Sequence, residues 1–380
     1  MGTSYKFSSG MSIATSQYLA DKKAACISQV QFHLERFTAQ PRQDIGLYFI
    51  PLPEDVAAFQ EHYALLNPEF YPEDYATFTV VLHCLQQAAV VADPATADFL
   101  VLPFNLFFYP QCKEEIDEVM STILPQYRHK RLLFCCISDF CMRPVRRSLP
   151  FERVCLEEYQ AAADEYFPAF VRPDDVIIHF ESTVDLLGDI AIFPLIPVDI
   201  VTPDAGNRPY HFSFAGEYYK SGWPEGFVRS PSRKPIWEAM AARNQAHAFI
   251  GKGVSAHPGA ENKFLTIPQQ SVFSLCPRGI AAWSFRLFES VVKGAIPVVM
   301  ADGYVKPFPE YLPWDMFSIT LPESMLSDID DILLRMRPQV TARLQQGVQQ
   351  YQQQFTVNGL LSMILSRLSI IARPVTADKS

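Results

Sequence analysis

The sequence predicts an α/β protein made of two doubly wound domains. In its first half, short apolar segments with the length of strands alternate with segments of helical periodicity, which is the pattern of a parallel sheet flanked by helices. In the second half, residues 271–323 repeat this pattern as strand, helix and strand. A chain of 380 residues is also long for a single hydrophobic core and suits two domains.

The boundary between the domains falls in a segment rich in proline. Pro194, Pro197, Pro203 and Pro209 crowd around Gly206, a composition typical of a linker. We therefore predict an N-terminal extension, a first domain, a second domain, and a C-terminal helix that returns to the first domain and ends in a tail. Their bounds are residues 1–44, 45–205, 206–355 and 356–380.

The individual elements follow from apolar segments and their spacing. In the first domain we predict strands at residues 45–50, 98–102, 132–137 and 176–180, and helices at residues 13–37, 76–92, 114–126 and 151–169. In the second domain we predict strands at residues 211–216, 272–276, 296–301 and 317–321, and helices at residues 233–243, 284–293, 323–336, 339–355 and 358–371.

The loop and helix after residue 276 have the features of a site for a phosphorylated ligand. In such units ligands bind beyond the carboxyl ends of the strands, where a helix N-terminus offers N–H groups and a positive dipole end. Arg278 and Arg286 flank the predicted helix start, and guanidinium groups fit diphosphate oxygens better than lysine does. Trp283, Arg286 and Glu289 follow at intervals of three residues, so that Glu289 could accept hydrogen bonds from a ribose. In the alternative interpretation, Arg286 and Glu289 form an ordinary surface pair on a packing helix, worth a few tenths of a kcal/mol.

Several linked motifs in the second half resemble the exostosin-like glycosyltransferases of family 47. They are Cys276-Pro-Arg-Gly279, Trp283-Ser-Phe-Arg-Leu-Phe-Glu289, Gly294-Ala-Ile-Pro-Val298 and Pro307-Phe-Pro-Glu-Tyr-Leu-Pro-Trp314. Residues 97–104 and 208–216 are more weakly similar, and the resemblance covers about residues 45–325. It departs from the family at Ile280, where an aspartate is usual, and at Asp139, where Asp-Trp-Gly is replaced by Ser-Asp-Phe.

The resemblance implies a fold and a reaction. The fold is the GT-B type, with two facing Rossmann-like domains and a cleft between them: an N-terminal acceptor domain and a C-terminal domain that binds a nucleotide sugar. The reaction is transfer of a sugar from a UDP-sugar donor to a hydroxyl of a glycan or glycoconjugate, with inversion and without a metal cofactor. Neither the sugar nor the acceptor is identified by the sequence.

Candidate site residues follow from the motifs and from the chemistry of an inverting transfer. The predicted donor-binding residues are Gly216, Arg278, Gly279, Trp283, Ser284, Arg286 and Glu289. An inverting transfer also needs a base for the acceptor hydroxyl, and the candidates at strand ends of the first domain are Asp139, His179 and Glu181. A carboxylate at position 139 could equally cap a turn.

A metal-dependent transferase is a further interpretation that remains open. Asp328-Ile-Asp330 has the Asp-x-Asp pattern of metal-binding transferases. The pattern lies in a segment where acidic residues open a predicted helix and favour its dipole, whereas a metal motif would end a strand. We therefore expect no metal site there.

Charge and cysteine usage narrow the class of protein. The net charge of -9 disfavours nucleic acid as a partner. The eight cysteines fit no zinc-ligand spacing and are predicted to be free, buried thiols.

No apolar segment is long enough for a transmembrane helix and no secretory signal opens the chain. We expect a cytoplasmic enzyme of bacterial or viral type, or a Golgi luminal domain if a membrane anchor has been removed.

Together these observations predict an inverting, metal-independent hexosyl- or pentosyltransferase. A catalytically silent relative, which binds a glycan or sugar nucleotide and supports a partner transferase, is the alternative.

Overall fold

The computed structural model describes residues 16–66, 71–137, 168–180, 189–202, 208–216, 248–251, 263–278 and 283–373. These residues contain two five-stranded sheets, and every pair of neighbouring strands in them is parallel. With helices between the strands, the architecture confirms the predicted α/β class with two sheets.

The first sheet follows the order of the chain. Its strands are β1 (Leu47–Phe49), β2 (Phe99–Asn105), β3 (Arg131–Cys136), β4 (Val176–His179) and β5 (Ile190–Ala191). The helices described in this half are α1 (Ser16–Leu34), α2 (Glu54–Leu66), α3 (Pro72–Ala89) and α4 (Lys113–Ile123). Strands β2 to β4 are almost entirely buried, as expected for a parallel sheet with both faces covered.

In the second sheet the order in which strands are added along the chain reverses next to β6. Its strands are β6 (Tyr210–Ala215), β7 (Ala248–Gly251), β8 (Ser271–Pro277), β9 (Ile296–Met300) and β10 (Ile319–Leu321), in the spatial order β10-β9-β8-β6-β7. The helices described are α5 (Lys263–Gln269), α6 (Phe285–Val292), α7 (Ile329–Leu334), α8 (Pro338–Tyr351) and α9 (Val357–Ala372). Because β7 and β8 lie on opposite sides of β6, a topological switch point falls between β6 and β8.

The predicted elements agree in type with most of those observed, with local differences. The segment predicted as one helix at residues 323–336 is a 3₁₀ turn (Glu323–Asp328) followed by α7. The helix predicted at residues 339–355 ends at Tyr351 and continues as a 3₁₀ turn. Helix α2, helix α5 and the short strands β5 and β7 were not predicted. The helix predicted at residues 233–243 and most of that at residues 151–169 lie outside the described residues.

The two halves share one apolar core. The ring of Phe193, between β5 and the linker, stacks on Phe288 of α6 with 5.6 Å between centroids. The same ring lies 4.9 Å from Phe355, just before α9. Helix α9 then packs against α3, and Ser369 Oγ donates to Asp44 Oδ2 at 2.8 Å. The domain bounds themselves stay predictions.

The cysteines of the described residues are free and buried, as predicted. They are Cys26, Cys84, Cys112, Cys135, Cys136 and Cys276, whereas Cys141 and Cys155 lie outside the described residues.

Across the described ranges, no single helix is both long and apolar enough to cross a membrane. Residues 338–355 and 357–372 meet that criterion only as a joined pair, with a bend of 77° between them.

Candidate functional site

The candidate site lies at the carboxyl ends of β6 and β8. In open parallel sheets a crevice forms at the switch point, beyond the ends of the two strands that diverge there. Here those ends carry Gly216 and Arg278, and the next helix along the chain, α6, begins close by at Phe285. Gly216, Arg278 and the start of α6, which the sequence predicts as parts of a donor site, are therefore brought together.

Helix α6 begins beside the end of β6, because Arg286 in its first turn contacts Ala215. Ser284, the residue before the helix, has extended backbone angles (φ -149°, ψ 136°), and its side chain makes no capping hydrogen bond. An N-terminus without a side-chain cap keeps N–H groups for another acceptor. At its other end the helix ends at Val292 and is followed by Gly294, whose φ of 73° is in the left-handed region that favours glycine.

The Arg286 side chain is buried between the end of β6 and the start of α6, which corrects the surface-pair interpretation. It is 4% exposed. Its Nη2 donates to the carbonyl oxygen of Ala215 at 2.7 Å, and its Nη1 lies 3.0 Å from Glu289 Oε2. The arginine thus ties the start of α6 to the end of β6. A buried, oriented guanidinium of this kind interacts with an anion far more strongly than an exposed one.

Glu289 is the carboxylate of this buried pair. Its side chain is 14% exposed. Burial raises the pKa of the Glu289 carboxyl to about 7, the guanidinium of Arg286 opposes that rise, and the negative charge of Glu73 adds to it. A carboxyl with a raised pKa beside a buried cation is a candidate for a functional group, although structural ion pairs also shift pKa values.

Arg278 adds a second buried guanidinium at the end of β8. Its backbone N–H donates to the carbonyl oxygen of Met300 at 3.1 Å, which fixes the residue beside β9. The side chain is 5% exposed, and its Nη1 lies 3.9 Å from Glu323 Oε1. Glu323 is in turn held by Asp302, because Asp302 Oδ1 accepts from the Glu323 backbone N–H at 3.1 Å.

A group of aromatic rings closes the site on the side of the first half. The indole of Trp283 lies 5.2 Å from the ring of Phe180, at the end of β4, and 4.9 Å from Phe285. Phe285 also contacts Tyr71 of the first half at 6.1 Å. Trp283 is 4% exposed, and its indole N–H has no hydrogen-bond acceptor among the described residues. A buried donor of this kind is costly unless an acceptor is supplied.

Gly216 has a packing role that the sequence did not predict. Its N–H donates to the carbonyl oxygen of Gly251 at 3.0 Å. A Cβ at this position would meet the ring of Phe214 at 2.6 Å. A larger residue here would require the Phe214 ring to move, so the glycine has a packing role whether or not the backbone also approaches a donor.

Of the three base candidates, only His179 is among the described residues. It ends β4, is 6% exposed, and its Nε2 lies 3.8 Å from Oδ2 of the equally buried Asp189. A carboxylate beside an imidazole can hold its orientation and stabilise its charged form. Asp139, Glu181 and the donor candidate Gly279 lie outside the described residues.

Two acidic residues near the site were missed in the sequence. Asp189 precedes a strand, whereas a catalytic base is expected at the end of one. Glu73 opens a helix, where an acidic residue has an ordinary explanation in the helix dipole.

The Asp-x-Asp pattern lies at the start of α7, as predicted. Asp328 directly precedes that helix, and Asp330 lies in its first turn and is 6% exposed. Among the residues that the structure describes, no three His, Cys, Asp or Glu side chains form a group that could hold a metal ion.

Comparison with known families places this site within a recognised domain. Residues 189–336 match the Exostosin GT47 domain, which confirms the resemblance to exostosin-like family 47 for this segment. The matched segment contains Arg278, Trp283, Arg286 and Glu289.

Similar curated proteins come from plants. A probable glucuronosyltransferase of Oryza sativa subsp. japonica is 35% identical over 153 residues, which are 38% of this chain and 33% of the relative. The probable β-1,4-xylosyltransferase IRX10 of Arabidopsis thaliana is 32% identical over 165 residues, 42% of this chain and 38% of the relative. The match thus spans only about a third to two fifths of the relatives' length.

Among solved structures, Anabaena Alr3699/HepE in complex with UDP and glucose aligns over 86% of this chain and 100% of its own, with 10% identity and a TM-score of 0.41. The GtfA/B complex aligns over 80% of this chain and 61% of its own, with 11% identity and a TM-score of 0.40. These scores are too low to support a structural argument.

Proposed function

We propose that this chain is an inverting, metal-independent glycosyltransferase that moves a sugar from a UDP-sugar to a hydroxyl of a glycan or glycoconjugate. One observation carries the proposal: two buried guanidinium groups and a partly buried carboxyl group lie at the switch point of a parallel sheet, within a segment that matches the Exostosin GT47 domain.

The two arginines suit the diphosphate of such a donor. Departure of a nucleoside diphosphate leaves negative charge at the bond that breaks, and preorganised cations stabilise that charge most strongly where water is excluded. Arg278 and Arg286 are each at most 5% exposed. Together with the N-terminus of α6 they form a site for an anion, so the proposed mechanism assigns to arginine the role that a metal has in other transferases.

Glu289 and Trp283 suit the rest of the donor. The carboxylate of Glu289, one turn into α6, would accept hydrogen bonds from ribose hydroxyls. The indole N–H of Trp283, which has no acceptor among the described residues, would donate to a donor oxygen. Ser284 would contribute its backbone N–H at the helix start.

The choice of donor sugar follows from the activities that the names of the similar proteins state. Because the similar proteins are named as probable glucuronosyl- and xylosyltransferases, we propose UDP-glucuronate and UDP-xylose as the first donors to test. A growing polysaccharide is the corresponding acceptor.

The base is proposed to come from the first half of the chain. The first half contacts Trp283 directly, since the ring of Phe180 lies 5.2 Å from the indole. His179, next to Phe180 and beside Asp189, could take the proton of the acceptor hydroxyl while the anomeric carbon is attacked from the face opposite the diphosphate. Asp139 and Glu181 remain alternatives.

A transfer assay with matched arginine variants tests the proposed function. We expect the protein to transfer xylose or glucuronate to a xylo-oligosaccharide in the presence of EDTA. Arg286→Ala should lower the rate by about 10²-fold or more, because it removes a charge that stabilises the leaving group. Arg335→Ala, which removes an 80% exposed arginine from a surface pair with Asp331, should leave the rate unchanged.

Two other outcomes would change the proposal. Equal losses in both variants would mean that the effect is not specific to the site. Binding of UDP-sugars with no transfer to any acceptor would support the alternative of a catalytically silent protein.

A further inference from the structure

A cavity of about 400 Å³ lies where the chain passes twice between its two halves. The first passage is the linker, which contributes lining residues within 196–200, and the second is the return to the first half, which contributes residues within 353–358. Phe32, His33 and Arg36, at the end of α1, complete the lining. The size of the cavity falls within the range of about 300–1,000 Å³ that is usual for small-molecule sites.

The cavity is separate from the candidate site described above. Val292, the last residue of α6, lines the cavity, whereas Arg286 lies in the first turn of that helix. The eight residues of α6, at about 1.5 Å each, place its two ends roughly 10 Å apart. Among the described residues, those that line the cavity include neither Arg278 nor Arg286.

His33 brings a buried hydrogen-bond acceptor to the wall of the cavity. The residue is 4% exposed, and its Nε2 has no hydrogen-bond partner in the part of the chain that the structure describes. The other ring nitrogen donates to the backbone carbonyl oxygen of Leu195. Burial and the nearby charge of Arg36 lower the pKa of the imidazole to about 4, so the ring is neutral and Nε2 carries a lone pair. An unpartnered acceptor inside a protein costs free energy that a ligand hydroxyl would recover.

The charges at the edge of the cavity are paired with each other. Arg36 Nε and Nη2 donate to Asp199 Oδ1 at 3.2 and 3.1 Å, and Nη1 donates to the carbonyl oxygen of Phe32 at 3.0 Å. Asn358 Nδ2 donates to the carbonyl oxygen of Arg36 at 2.9 Å, which ties the second passage to the end of α1. Because a carboxylate balances the guanidinium, these surroundings favour a neutral ligand over a phosphate.

The remaining walls combine apolar surface with polar groups. Ile196, Val292 and Phe355 line the cavity and are each at most 6% exposed. Thr356 and Asn358, at the start of α9, bring a hydroxyl and an amide to the same space. A sugar ring matches this combination, because its hydroxyls both donate and accept hydrogen bonds while its C–H faces pack on apolar surface.

We propose that this cavity is a second ligand site, which binds a neutral saccharide of one or two rings through a hydroxyl that donates to His33 Nε2. Both passages between the halves line the cavity, so a bound saccharide would hold the halves in their present arrangement. The inference does not rest on the proposed function, because none of the residues assigned to the donor lines the cavity.

Ligand-observed NMR titrations with xylose, xylobiose, glucose and cellobiose test the inference, with inorganic phosphate as the charged probe. At least one of these saccharides should bind wild type, and phosphate should not displace it. His33→Phe keeps an aromatic ring but removes Nε2, and it should weaken binding about tenfold, the effect of losing one hydrogen bond to a ligand. Val198→Trp adds a large side chain to the wall of the cavity and should abolish binding.

Two further variants are controls. His129→Phe makes the same change at an exposed histidine and should leave saccharide binding unchanged. Arg286→Ala removes a guanidinium from the candidate site and should also leave it unchanged. A thermal unfolding scan of each variant shows that it is folded.

The inference is wrong if none of the four saccharides binds, if phosphate displaces the bound saccharide, or if either His33→Phe or Val198→Trp keeps the wild-type affinity. Loss of saccharide binding in Arg286→Ala would assign the ligand to the candidate site and would overturn the inference as well. If a saccharide binds the cavity while no UDP-sugar binds wild type, the proposed function fails and the inference stands.

Discussion

At the scale of single residues, the main feature of the candidate site is that two charged arginine side chains are buried. Arg278 and Arg286 are buried although arginine is rarely so, and a buried charge persists only where partners hold it. Arg286 is held by Glu289 and by the carbonyl oxygen of Ala215. Such an arrangement is poorly explained by stability, since a well-packed apolar pair would often serve equally well. The anion-binding role proposed above would account for it.

The Glu289 carboxyl should cost the protein stability at high pH. Its pKa in the folded protein is raised to about 7, above that of an unfolded glutamate. A group with a raised pKa contributes stability below its unfolded pKa and loses it as the pH rises through the folded value. Wild type loses this contribution as the pH rises, whereas Glu289→Gln has no carboxyl at this position to titrate. The free energy of unfolding of the variant minus that of wild type should therefore increase by about 1–3 kcal/mol between pH 5 and pH 8.

Urea denaturation of the two proteins at both pH values measures this difference. A difference that stays constant, or that falls as the pH rises, would contradict the raised pKa.

How far the residues of the site can be predicted depends on whether they are neighbours in the chain. Arg278, Trp283, Arg286 and Glu289 follow one another within a strand–loop–helix unit, so their spacing is sufficient to group them. Tyr71 and Phe180 meet Phe285 and Trp283 only through folding of the two halves, and no local spacing relates these positions. The burial of the Arg286 pair was also beyond the sequence, because an i,i+3 ion pair looks the same on an exposed helix.

At the scale of elements, the sequence predicts those that carry a strong pattern. Buried strands such as β3 and β9 are continuous apolar segments, and they appear within one or two residues of their predicted bounds. Strand β7 has only four residues, all half-buried, and gives no such signal. Helix α5 contains Pro268, which is unfavourable inside a helix, and α2 directly follows Pro51 and Pro53.

Helix α8 packs against the 3₁₀ turn Trp314–Met316 so closely that one of its positions must be glycine. A Cβ on Gly347 would lie 2.0 Å from the carbonyl oxygen of Met316. Gly347→Ala should therefore lower the free energy of unfolding by about 1–3 kcal/mol, although alanine alone would favour a helix by about 1 kcal/mol.

The matched control is Gln349→Ala, an exposed position of the same helix, which should change the stability little. Thermal or urea unfolding measures both. A Gly347→Ala variant as stable as wild type would show that the helix can move away from the turn at no cost.

At the scale of the whole molecule, the two halves are joined by shared apolar contacts and not by the linker alone. Phe193 stacks on Phe288 of α6, the same helix that carries Arg286 and Glu289. The first half also reaches the site through Tyr71 and Phe180. A change in how the halves pack would therefore change the candidate site, and the proposed transferase activity would respond to it if the halves close on the substrate.

The central claim is that buried arginines, without a metal ion, bind the diphosphate of the donor. The most direct test is thermal stabilisation of the wild-type protein by UDP, UMP and uridine in EDTA. A ligand that binds only the folded state at a hundredfold excess over its Kd stabilises it by about 2.7 kcal/mol. We predict that UDP stabilises the protein most, UMP less and uridine least, because the arginines act on phosphate charge. Equal stabilisation by uridine and UDP, or stabilisation by UDP only when a divalent cation is added, would contradict the account.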